Sequence, residues 1–88
     1  MPASEESLAF HASAPAEGTA YVLLLRRPDE EGWVRFQRWE SPDYTAETPE
    51  RRRPASEVYA AIAREKRAGW RFTLPPDHIR AWLLPGER

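Results

Sequence analysis

The 88-residue sequence contains no cysteine. A disulfide scaffold, a thiolate zinc site and a cysteine nucleophile are therefore excluded. Glycine is scarce: four residues, too scattered to cradle a phosphate, with no Walker or G-x-G-x-x-G spacing among them. Only two histidines occur, His11 and His78, and no H-E-x-x-H or G-x-S-x-G pattern surrounds them. No charge sign dominates, since thirteen basic residues face fourteen acidic ones for a net −1. That excludes a strongly basic whole-chain nucleic-acid binder and an acidic disordered protein. No apolar run approaches the roughly 18 residues that span a bilayer, and the N-terminus lacks a basic-then-apolar leader. The sequence thus leads us to expect a soluble cytoplasmic protein with no membrane partner, no metal and no cofactor. No catalytic constellation stands out, so the expectation is a protein that is not an enzyme. The Asp29-Glu30-Glu31 cluster reads as a solvated turn, because calcium loops need alternate ligands over about twelve residues.

Lysine is nearly missing as well. Lys66 is the only one, so the other twelve of the thirteen basic residues are arginine. Arginine offers a planar fork of donors that grips carboxylates and phosphates and stacks on aromatic rings.

What is present suggests one small α+β domain over residues 19–88, preceded by an acidic tail over residues 1–18. The tail holds Glu5, Glu6 and Glu17, no Lys or Arg, and after Met1 only Leu8 and Phe10 as large apolar groups. Such a stretch buries too little apolar surface to offset its ordering entropy, so it is expected to be disordered. Leu8-Ala9-Phe10 is its one sticky point.

Ala20-Tyr21-Val22-Leu23-Leu24-Leu25 is an unbroken run of strand formers. Runs of this kind mark strands covered on both faces. Pro28 to Gly32 supplies a turn. Trp33 to Glu40 then alternates, with Val34 and Phe36 on one face and Trp33, Arg35, Gln37 and Trp39 on the other. Ser41 to Pro54, with Pro42, Pro49 and Pro54, reads as an irregular connection in which Thr48-Pro49-Glu50 opens one helical turn. A helix is expected from about Ser56, its cap, to Ala68, with Gly69 as terminator. Trp70 to Leu74 reads as a third strand. Asp77 caps a short last helix that places Ile79, Trp82 and Leu83 on one face, although a fourth strand over 78–84 also fits.

The resulting ββαβα order predicts a three-stranded antiparallel sheet in order 2-1-3. Residues 20–25 form its centre, the main helix lies on one face, and a short helix ends the chain. The other face then needs a cover: the last helix with Trp82 as plug, the Leu8–Phe10 segment folded over, or a second copy of the chain. Exposed contiguous apolar surface is uncommon on soluble monomers, and a core this small gives only about 3–5 kcal/mol alone.

Two sets of residues are candidates for binding. Trp33, Arg35, Gln37 and Trp39 share one strand face, and tryptophan and arginine dominate interface hot spots. Arg51, Arg52, Arg53, Arg64, Arg67 and Arg71 make a basic segment; between residues 51 and 71 seven positive residues meet two glutamates. Arg64, Arg67 and Arg71 share one helical face if the helix continues that far. The function expected is a non-catalytic protein-interaction module that self-associates as a homodimer or docks onto a larger protein. The alternative is a single-stranded nucleic-acid binder that stacks bases on Trp33 and Trp39 and holds phosphates with the basic segment.

Overall fold

A computed structural model describes residues 6–16, 18–44 and 49–86. The chain runs β1 (Ser7–Ser13), β2 (Ala20–Arg26), β3 (Trp33–Glu40), β4 (Arg51–Pro54), α1 (Ala55–Arg67), β5 (Arg71–Phe72) and α2 (Pro76–Leu83). The strands form one five-stranded sheet in the order β4-β3-β2-β1-β5, and every pairing is antiparallel. The α+β class stands, and residues 20–26 do lie at the centre.

The three-stranded sheet in order 2-1-3 is corrected. Strand β2 keeps β3 on one side, but its other neighbour is β1, and the short β5 pairs with β1 instead. Residues 7–13, inside the expected disordered tail, are a strand instead. They form a full edge-to-edge partner of β2, with Leu8 opposite Leu25, Phe10 opposite Leu23 and Ala12 opposite Tyr21. Phe10 and Ala12 are buried. Taken alone, the segment buries too little apolar surface to order itself. Beside an existing apolar strand, two buried side chains and a ladder of backbone hydrogen bonds suffice to order seven residues. Of the expected tail, residues 1–5 and 17 lie outside the described residues.

The connection over residues 41–54 is corrected in the same way. Arg51 to Pro54 form edge strand β4, in register with Val34, Arg35 and Phe36. The proline sits at the strand's end, where its missing N–H costs no ladder bond. Thr48, the cap of the expected helical turn, lies outside the described residues.

The β2–β3 turn is fixed by Asp29. Its carboxylate accepts the N–H groups of Glu31 and Trp33 at 2.9 and 3.0 Å. Gly32 follows with φ of +80°, a left-handed conformation that favours glycine.

Helix α1 begins one residue earlier than Ser56. Pro54 occupies the cap position, with φ −57° and ψ 136°, and Ser56 makes no side-chain cap. The Ala55 N–H instead donates to the Gly32 carbonyl at 2.8 Å, which ties the helix start to the β2–β3 turn. The C-terminus follows expectation. Gly69 has φ of +97°, its N–H donates to the Lys66 carbonyl, and the Trp70 N–H donates to that of Glu65. Two such bonds satisfy carbonyls that the last turn would otherwise orphan. The helix stops at Arg67, so Arg71 is on β5 and not on the face shared by Arg64 and Arg67.

The last element is a helix. Pro76 takes its first turn, where a proline lacks no needed donor, and Pro75 rather than Asp77 occupies the cap position. Ile79 and Leu83 are buried.

Both helices pack on one side of the sheet. Phe10, Leu23, Leu25, Val34, Ile62, Ile79 and Leu83 belong to a single core. Trp82 is no plug for the opposite side. It lies at the rim of this core, its indole N–H 3.4 Å from the Arg26 carbonyl, with the Arg27 guanidinium 3.9 Å above its ring. Among the described residues, no helix is long and apolar enough to cross a membrane.

Candidate functional site

Alternation divides each strand between two environments. On β2, Tyr21, Leu23 and Leu25 point into the core and are buried, while Val22 and Leu24 point the other way and are only half-buried. On β3, Val34 is fully buried, whereas Trp33, Gln37 and Trp39 are half-buried and Arg35 is exposed. The register lines up the second set in cross-strand rows. One row is His11, Val22 and Trp39; the next is Ala9, Leu24 and Gln37; a third pairs Arg35 with Arg52. No described helix lies on this face. It is an open sheet face with an aliphatic centre and two tryptophans.

Charge surrounds it. Glu50 stands between Arg26 and Arg35, 3.8 and 3.7 Å from their guanidinium nitrogens. Arg52 stacks on Trp33, its guanidinium carbon 4.8 Å from the ring centre. The same guanidinium reaches Asp29 at 2.7 Å and Glu31 at 3.3 Å. The hydrogen bond from Arg52, joined by the Trp33 and Glu31 N–H groups, holds the Asp29 carboxyl below its usual range. Arg52 is raised in turn, chiefly by its bond to Asp29. At the other end of the face, His11 Nε2 lies 3.3 Å from the Tyr44 hydroxyl. Tyr44 itself has φ of +56°, and its N–H donates to the Glu40 carbonyl at 3.0 Å.

The structure therefore brings Trp33, Arg35, Gln37 and Trp39 together on one open surface. It does not bring the basic segment together. Arg52 is on the open face, Arg51 and Arg53 are on the helix side of β4, Arg64 and Arg67 sit late in α1, and Arg71 is on β5. Ala9, His11 and Tyr44 belong to the open face and were not anticipated. The first two were hidden by treating their segment as a tail. The unbroken run over residues 20–25 did signal Val22 and Leu24.

His78 is exposed on α2. Among the described residues, no group of three or more His, Asp or Glu side chains is placed to hold a metal ion. The chain was compared with family models, with curated proteins and with solved structures, and it matches none of them.

Proposed function

We infer that this chain is a non-catalytic interaction module that docks through its open sheet face, and that the occupant is a second copy of itself. The observation that carries this reading is the placement of both helices on one side. Among the described residues, it leaves the half-buried Val22, Leu24, Trp33 and Trp39 without a helix over them.

Two physical arguments favour self-association. The first is charge. The rim carries Arg26, Arg35 and Arg52 against Glu50, Asp29 and Glu31, already in contact with one another. A strongly charged partner gains little from such a balanced rim, whereas a twofold-related copy meets it without repulsion. The second is area. Strands of seven, seven and eight residues make a plane about 15 Å by 24 Å, and β4, β5 and side-chain relief bring it to roughly 500 Å² per copy. Two copies then bury about 1,000 Å², the low end for a specific interface. The expected dimer is accordingly weak, with Kd in the micromolar range.

Nucleic-acid binding has less support. Arg35 is engaged by Glu50, Arg52 by Asp29 and Glu31, and the remaining arginines are dispersed over several surfaces. Sedimentation equilibrium tests the proposal. A reversible monomer–dimer equilibrium that Trp39→Glu shifts to monomer is the expected result. A chain that stays monomeric at high concentration, yet loses tryptophan fluorescence to single-stranded oligonucleotides at low salt, would support base stacking instead.

A further inference from the structure

A cleft of about 440 Å³ lies on the opposite side of the sheet, where α1 leaves the corner between β3 and β4 uncovered. This volume falls in the range of small-molecule sites. Its floor is apolar, made by Leu23, Phe36, Val58 and Ile62. The sheet rim carries Arg38, Glu40, Arg51 and Arg53; the helix rim carries Glu57, Ala61 and Glu65.

The charges on these rims are not equivalent. Arg38 Nε is 2.9 Å from a Glu40 carboxylate oxygen, and its guanidinium lies 4.1 Å from the centre of the Tyr21 ring. The Tyr21 hydroxyl donates to Glu65. Those groups are engaged with each other. Arg51 and Arg53 differ. They flank the floor from β4, opposite Phe36 and Val34, two residues apart on the same strand face. Alternate residues on a strand are about 7 Å apart. Among the described residues neither meets a carboxylate within ion-pair distance, and Arg53 Nη1 donates only to the Arg52 carbonyl at 3.0 Å. Arg26, Arg27, Arg35, Arg38 and Arg52, by contrast, each lie within 4.0 Å of a carboxylate. The three arginines of the cleft equal its three glutamates in number, but Arg51 and Arg53 stand side by side on the β4 rim, while Glu57 and Glu65 lie across the apolar floor on α1.

The geometry points to a binding site for a small amphipathic anion. An acyl or aryl body lies on the Phe36 and Val58 floor, and its anionic oxygens accept from Arg51 and Arg53. Both carboxylate and phosphate heads match the guanidinium fork. The cleft and the open face are on opposite sides of the sheet, so this inference does not depend on the function proposed above.

The test is a titration of isotopically labelled full-length chain, followed by NMR, with decanoate, decyl phosphate and uncharged decanol. The expected result is saturable shifts of the Ala61 and Ile62 amides and of the Arg51 and Arg53 Nε–H signals, with decanol at least tenfold weaker. Whichever of decanoate and decyl phosphate binds more tightly identifies the preferred head. Replacing both Arg51→Gln and Arg53→Gln weakens the anions at least tenfold and leaves decanol unchanged. Ala61→Leu, which fills the cleft, weakens all three. Equal binding of decanol and the anions, no binding at millimolar ligand, or shifts confined to the Trp33 and Trp39 indole N–H signals would overturn it.

Discussion

The two faces of one sheet differ by a single-residue offset along the same strands. On β2, Leu25 is fully buried and its neighbour Leu24 is not; on β3, Val34 is fully buried and Trp33 is not. Composition does not separate the faces, because both hold large apolar groups. What separates them is that α1 and α2 both return to the same side. The apolar content of β2 does not record that return. An apolar face is therefore a necessary sign of a core but not a sufficient one.

The comparison is sharpest in stability. Leu25→Ala opens a cavity in the sealed layer and is expected to cost about 3 kcal/mol or more. Leu24→Ala, measured in dilute monomer, is expected to cost less than about 1.5 kcal/mol, because its site is already open to water. Chemical denaturation of both variants decides this; equal losses would mean that the open face is a packed core. Phe10→Ala belongs with Leu25 and is expected to cost about 3–5 kcal/mol, although Phe10 comes from a segment whose composition suggests disorder. An unchanged denaturation midpoint would place β1 outside the cooperative unit.

A smaller effect separates the faces by association. Leu24→Lys is expected to weaken the dimer at least tenfold, about 1.4 kcal/mol, with little change in monomer unfolding. Light scattering against concentration reads the first and denaturation the second.

The two faces also differ in their titrations. Burial, and then the Glu65 carboxylate, push the Tyr21 phenol far above its ordinary value. A raised pKa means that its contribution to stability is complete below the unfolded value near 10 and is lost as pH rises beyond it. In an alkaline absorbance titration, one phenol is therefore expected to ionise only as the chain unfolds, and Tyr21→Phe removes that late step. Smallest of all is Asp29. Its lowered pKa gives a contribution that is present above the unfolded value near 3.9 and lost as pH falls through the folded one. The pair with Arg52 is solvent-exposed, so Asp29→Asn is expected to shift the acid limb of the stability curve only slightly.

Much of the fold was legible in local signals. The unbroken run over residues 20–25, the alternation over residues 33–40, the Gly69 stop and the Ile79/Leu83 spacing each report the immediate environment of their own residues. So does the Trp33/Trp39 face, since alternation alone puts those side chains together. The rest depends on pairing with a neighbouring strand, which no segment records by itself. The Leu8–Phe10 segment becomes a strand because β2 presents it with an edge, and Arg51–Arg53 does so because β3 does. Arg51–Arg53 carries no intrinsic strand signal; in residues 7–13 the alternation of Leu8, Phe10 and Ala12 with Ser7, Ala9, His11 and Ser13 is one, set in a stretch whose composition is that of a tail. In the basic segment, nearness in sequence is not nearness in space: β4, α1 and β5 carry its arginines to different surfaces.

The central claim is that the face bearing Val22, Leu24, Trp33 and Trp39 meets its own copy. The most direct measurement is an isotope-filtered NOE experiment on an equal mixture of labelled and unlabelled chains at high concentration. The account predicts intermolecular cross-peaks from the Val22 and Leu24 methyls to the Trp33 and Trp39 indoles. The absence of such cross-peaks, or their appearance only at α1 and α2, would contradict it.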